Sequence, residues 1–188
     1  MKRTFLAVKV SDFTKNLIDA IYEDLPELDK KLKKANLANP HITIKFIGDT
    51  EEEKIEDISQ ELKKEFDDFS SFAYEIDSTG VFPHPGHPKV FWLGVGKGKN
   101  KLKEMHKKVE NVTDNFNISR DRREFKPHLT IGRKRRNARI ADIDEFLDYD
   151  YKPIYNKVDE LIYFESILKS SGAIHKPLTK IKLRDQNG

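Results

Sequence analysis

The chain has 188 residues, 37% of them apolar, enough for one compact core. It has no cysteine, so disulfides, thiolate catalysis and cysteine-ligated metal centres are excluded. Lys and Arg (35) nearly balance Asp and Glu (32), leaving +3. No apolar run approaches the roughly 20 residues that span a bilayer, so a cytoplasmic protein without membrane contact is expected.

In chain order, the basic and then apolar opening lacks the long apolar run and cleavage site of a signal peptide, and residues 5–10 read as a strand. Ser11 or Asp12 caps a helix expected to reach about Lys33, interrupted at Pro26. Asn39-Pro40 precedes a strand over 41–47, closed by Gly48-Asp49. Thr50-Glu51-Glu52-Glu53 has the form of a capping box and opens a helix to about Phe66, with Ile55, Ile58 and Leu62 at helical spacing. Residues 72–76 form the next strand. Pro83-His84-Pro85-Gly86-His87-Pro88 is a rigid loop. Then come a strand over 90–95, a helix over 101–116, a strand over 128–133 and a helix over 140–147. Strands over 158–168 and 174–183 form a hairpin turning at Ser170-Ser171-Gly172. The helix over 101–116 places Leu102, Met105, Val109, Val112 and Phe116 on one side and His106 toward solvent.

This order reads β-α-β-α-β, then β-α-β-α-β-β, as two similar halves. The expected fold class is α+β, with two pseudo-symmetric lobes. Each lobe is an antiparallel sheet with helices on its outer face, and the active-site cleft lies between them. The whole chain, 1–188, reads as one bilobal domain.

Each half carries Pro-His-apolar-Thr-apolar, as Pro40-His41-Ile42-Thr43-Ile44 and Pro127-His128-Leu129-Thr130-Ile131. Even one such string is expected by chance only on the order of once per thousand chains of this composition. Residues two apart on a strand share a face. His41 therefore stands beside Thr43, with Ile42, Ile44 and Phe46 toward the core. His128 stands beside Thr130, with Leu129 and Ile131 inward. Two imidazoles and two hydroxyls suit phosphodiester opening. In-line attack needs a base on one side of phosphorus and an acid on the other, and histidine fills either role near neutral pH. Thr43 and Thr130 suit donors to the non-bridging oxygens. This chemistry requires no metal and no cofactor.

Residues 40–48 and 127–133 resemble the two HxTx motifs of the 2H phosphoesterase superfamily, and most closely its RNA 2′,3′-cyclic phosphodiesterase (2′-5′ RNA ligase) branch. Arg3-Thr4-Phe5-Leu6-Ala7-Val8 is similar to that branch's first strand. So is Pro88-Lys89-Val90-Phe91-Trp92-Leu93-Gly94-Val95, with Lys89 in place of an expected Arg. Phe164-Glu165-Ser166 to Gly172-Ala173-Ile174-His175 resembles its last hairpin, with His175 in place of the usual Tyr. The resemblance implies hydrolysis of RNA 2′,3′-cyclic phosphates to 2′-phosphates and reverse ligation to 2′-5′ linkages, as between tRNA halves. It implies His41 as proton donor and His128 as proton acceptor, roles that the near-symmetric motifs do not assign by themselves. It also implies Arg133 as a phosphate contact. Strict alternation puts Arg133 opposite His128, so a bulge or twist at Gly132 is required.

Arg133, Arg123, Phe46 and Trp92 complete the candidate substrate-binding set. Phe82 and Phe91 are further aromatics, and one of Phe91 and Trp92 must face the core. Arg120, Arg122 and Arg123 belong to a basic stretch, 120–136, suited to steering RNA phosphates toward His128. The expected partner is RNA, and a monomer is expected. A non-catalytic RNA-binding module built on that stretch is the alternative. Another is a metal hydrolase joining His41 and His128 to His84 and His87.

Overall fold

The computed structural model describes residues 1–140, 143–169 and 172–185. The first strand, β1 (Lys2–Lys9), has five consecutive buried residues, Thr4 to Val8, because both of its faces are covered. Leu6 and Val8 join the main core, whereas Phe5 and Ala7 meet Ile162 and Phe164 in a second cluster on the opposite face.

Ser11 caps α1 (Asp12–Asp24), its hydroxyl accepting the Thr14 N–H at 3.4 Å. Pro26 does more than interrupt this helix. It opens a separate one, α2 (Pro26–Lys31), at a position where its missing N–H costs nothing. Residues expected to stay helical become a short strand, β2 (Leu32–Lys34), because Leu32 is drawn under the second motif strand beside Gly132.

The first motif strand, β3 (His41–Thr50), runs past Gly48, whose φ of 93° suits only glycine comfortably. Thr50 is therefore no helix cap. Its hydroxyl donates to the Gly48 carbonyl at 3.0 Å, and α3 (Glu52–Glu65) starts after Glu51 without a side-chain cap. Next come β4 (Phe72–Phe82), longer than expected, β5 (Val90–Val95) and α4 (Lys99–Asp114). The second motif strand is β6 (His128–Lys134). It is followed by α5 (Ile143–Leu147), an unexpected strand β7 (Ile154–Val158), β8 (Glu160–Lys169) and β9 (Gly172–Lys182). Ala141 and Asp142 of the expected helix, and Ser170 and Ser171 of the expected turn, lie outside the described residues.

The strands form two antiparallel sheets, ordered β3-β1-β8-β9 and β2-β6-β5-β4-β7. The sheets are not the two halves of the chain. The C-terminal hairpin β8–β9 pairs with N-terminal β1, while β2 and β4 cross to the sheet of the second motif. Leu6, Ile44 and Leu161 from one sheet share a core with Phe91, Leu93 and Leu129 from the other. Burying each such side chain fully contributes roughly 1.5–3 kcal/mol. Each sheet carries one motif, and β3 and β6 lie close to one another.

Candidate active site

The two histidines are held identically. His41 Nδ1 lies 2.7 Å from the Asn39 carbonyl, and His128 Nδ1 lies 2.6 Å from the Lys126 carbonyl. A carbonyl only accepts, so Nδ1 carries the proton and Nε2 is the bare nitrogen. Pro40 and Pro127 stand between each carbonyl and its histidine and offer no N–H to compete for it.

Both motif strands also bulge at the same place. Thr43 pairs with Ala7 and Lys45 with Leu6, which leaves Ile44 extra. Thr130 pairs with Trp92 and Gly132 with Phe91, which leaves Ile131 extra. Each extra residue is the third after its histidine, and each reverses the alternation beyond it. Lys45 turns inward and is 1% exposed, while Phe46 turns out and is 66% exposed. The expectation of Phe46 in the core is therefore corrected. It sits beyond Phe5, which lies 5.0 Å from the His41 ring and 6.0 Å from the Phe46 ring. The same reversal brings Arg133 to the His128 side, through a bulge at Ile131 rather than at Gly132.

Around His128, Phe82 packs edge-on at 4.9 Å and Trp92 lies at 6.1 Å. Gly80 and Gly94 make room for the indole, since a Cβ on either would collide with the Trp92 ring. Phe91 is the member of the Phe91/Trp92 pair that faces the core. Around His41 stand Phe5, Phe164 at 5.9 Å and His175 edge-on at 5.0 Å. His175 was not among the sequence-derived site residues. Its only signal was its replacement of a tyrosine.

Burial pushes His41 down to about 4, against the opposing pull of its bond to Asn39, with His175 adding to the depression. Burial also lowers His128, and the Arg133 charge lowers it further. Both imidazoles are thus neutral in the free protein at pH 7. The unfolded chain binds these protons more readily than the folded one. Stability conferred by a neutral His41 is complete above about 6.5 and is lost as pH falls toward 4. Chemical denaturation between pH 7 and 4 should show this decline, and His41→Gln should flatten it.

Arg120, Arg122 and Arg123 are all exposed, and Arg120 bonds Asp114 and Asn111, each at 3.1 Å. His84 and His87 are exposed with rings 6.4 Å apart. His106 does not face solvent. It stacks on Phe125 at 4.3 Å, with Nε2 at 3.4 Å from Glu110 and 3.7 Å from Asp121. Those three residues are the one grouping of potential metal ligands among the described residues. Neither motif histidine belongs to it.

Two antiparallel sheets, each carrying one Pro-His-apolar-Thr strand, place the protein in the two-histidine phosphoesterase class. The chain belongs to the 2′-5′ RNA ligase superfamily, whose family model matches residues 13–166. A Thermotoga maritima protein named RNA 2′,3′-cyclic phosphodiesterase is 32% identical over 178 residues, covering 94% of this chain and 92% of its own. An Archaeoglobus fulgidus protein of the same name is 32% identical over 183 residues, covering 94% and 97%. Among solved structures, a Thermus thermophilus protein superposes with a TM-score of 0.80 at 20% identity, over 98% and 99% of the two chains. Escherichia coli LigT complexed with 3′-AMP gives 0.76 at 20% identity, over 97% and 98%. These structures share the fold. No helix among the described residues is long and apolar enough to cross a membrane.

Proposed function

We propose that this protein hydrolyses RNA ends bearing a 2′,3′-cyclic phosphate to 2′-phosphates, with His41 and His128 as acid and base and without a metal. The observation that carries this reading is the matched pair of histidines, each anchored through Nδ1 to the carbonyl two residues before it. The names of the relatives at 32% identity point to the same substrate.

Water attacks phosphorus while His128 Nε2 takes its proton. The bond from phosphorus to the ribose 3′-oxygen breaks, and His41 Nε2 delivers a proton to that oxygen. The products are a 2′-phosphomonoester and a 3′-hydroxyl. Arg133 opposes protonation of His128, which suits the acceptor role. His41 is strongly depressed in the free cleft, so the bound phosphate anion must raise it before it donates. Thr43 and Thr130 hold the non-bridging oxygens, Arg133 balances their charge, and Phe46 and Trp92 offer faces to bases. Arg123, exposed further out, adds to the RNA-facing charge. With an RNA 5′-hydroxyl in place of water, the same steps form a 2′-5′ linkage, as between tRNA halves.

The test is incubation of RNA ending in a 2′,3′-cyclic phosphate with the protein in EDTA, reading the end group formed. A 2′-phosphate is expected. Bound but unchanged RNA, or activity abolished by chelation, overturns the reading. Thr43→Val and Thr130→Val should each lower kcat by about 10²-fold, with KM and melting temperature little changed. Steady-state kinetics beside a thermal melt checks this.

A further inference from the structure

The surroundings of the two histidines match closely enough for their differences to be informative. The nearest edge-on ring is Phe82 for His128, at 4.9 Å and 84°, and His175 for His41, at 5.0 Å and 89°. Packing alone is served by the phenyl ring in one sheet. In the other sheet the edge-on ring is an imidazole, carried by β9. His175 is also tied to His41 through the backbone. The Asn39 side-chain amide donates to the His175 carbonyl at 3.3 Å, and the Asn39 carbonyl accepts from His41 Nδ1 at 2.7 Å. Asn39 therefore ties the backbone of His175 to the carbonyl that anchors the His41 ring.

The tautomer of His175 follows from its burial. Its Nδ1 is buried without a hydrogen-bond partner among the described residues. An orphaned buried N–H is costly, so the proton belongs on Nε2. Burial also keeps the ring from charging. His175 is thus a neutral donor whose ring stands 5.0 Å from that of His41.

We propose that His175 is a third donor of the reaction site, its Nε2–H contacting the terminal ribose on the His41 side of phosphorus. This rests on the cyclic phosphodiesterase reading, in which His41 protonates a ribose oxygen. A group one ring away from His41 then lies against the sugar, whereas the Arg133 guanidinium, which acts on His128, serves phosphate from the other side. The site therefore separates its tasks: charge at His128, sugar recognition at His41.

The experiment compares His175→Phe, which keeps a ring and loses the donor, with His175→Gln, whose amide restores a donor. Two probes are titrated, adenosine 2′-monophosphate and inorganic phosphate. His175→Phe should weaken the nucleotide about tenfold and leave phosphate unchanged. It should lower kcat/KM for cyclic-ended RNA about tenfold, and His175→Gln should recover most of both. Unchanged nucleotide binding in His175→Phe overturns the proposal, because the ring then only packs. Equal weakening of both probes also overturns it, because the effect is then not at the sugar. Absence of turnover in the unmodified protein would overturn the parent reading instead, and the two-probe comparison would still report on His175.

Discussion

Alanine at His41 or at His128 is expected to lower turnover of a 2′,3′-cyclic phosphate end by about 10²–10⁴-fold each. The double replacement should cost little more than the worse single one. In-line displacement uses acid and base in one transition state, and groups acting as a unit are not additive. The loss should appear in kcat. The rings do not carry the fold, since each strand is anchored by its apolar side, through Ile42 and Ile44 in β3 and Leu129 and Ile131 in β6, all buried. Removing either ring gives up one bond to a backbone carbonyl and the ring's aromatic contacts, while the apolar anchors of the strand remain. Quench-flow or end-group analysis on both variants, with circular dichroism to confirm folding, checks the expectation. Full activity in either single variant removes the two-histidine mechanism. A companion measurement separates the roles. Phosphate titrated into the free protein should raise the pKa of His41 from its depressed value, since a bound anion favours imidazolium. Ring-proton chemical shifts followed against pH would show it.

The sequence made the motif strands legible for local reasons. Proline before histidine starts each strand, and alternating apolar residues anchor it. The bulges were not legible. A register shift belongs to a pair of strands, and nothing within 41–50 announces that Ile44 faces no partner. Hence strict alternation sends Phe46 inward, whereas it stands out of the core. The need for a bulge near Arg133 could be deduced only because a functional role demanded it, and it fell one residue earlier. The assignment of strands to sheets was likewise beyond local pattern. β2 and β7 span three and five residues and exist because neighbouring strands offer edges. His106 misled for a related reason. Its helix face is lined by lysines, but Phe125, from a distant segment, covers it. His175 became visible as a site residue only when β9 placed it beside His41.

Lys45→Met is expected to destabilise the protein by about 3–5 kcal/mol, the usual cost of stranding one partner of a buried ion pair. The bulge at Ile44 turns Lys45 into the interior, where its side chain is fully buried. Its ammonium donates to Glu110 Oε1 on α4 at 2.6 Å and to the Ser119 carbonyl at 3.0 Å. Ser119 lies in the segment that leads from α4 to β6. One buried cation thus ties the strand of His41 to the chain that delivers His128. Without it, the Glu110 carboxylate, 6% exposed, keeps among the described residues the N–H of Asp121 at 3.4 Å and the His106 imidazole at 3.4 Å. For a chain of this length, such a loss should lower the melting temperature by roughly 10 °C. Glu110→Leu alone should be as damaging, because it strands the ammonium. The double variant, Lys45→Met with Glu110→Leu, should recover most of the loss, since well-packed apolar replacements of a buried pair are often near neutral. Urea unfolding of the four proteins closes the cycle and gives the coupling energy directly. A Lys45→Met variant within 1 kcal/mol of the parent would mean that water relieves Glu110. If the double variant recovers stability but not turnover, the pair positions the two histidines rather than merely holding the fold.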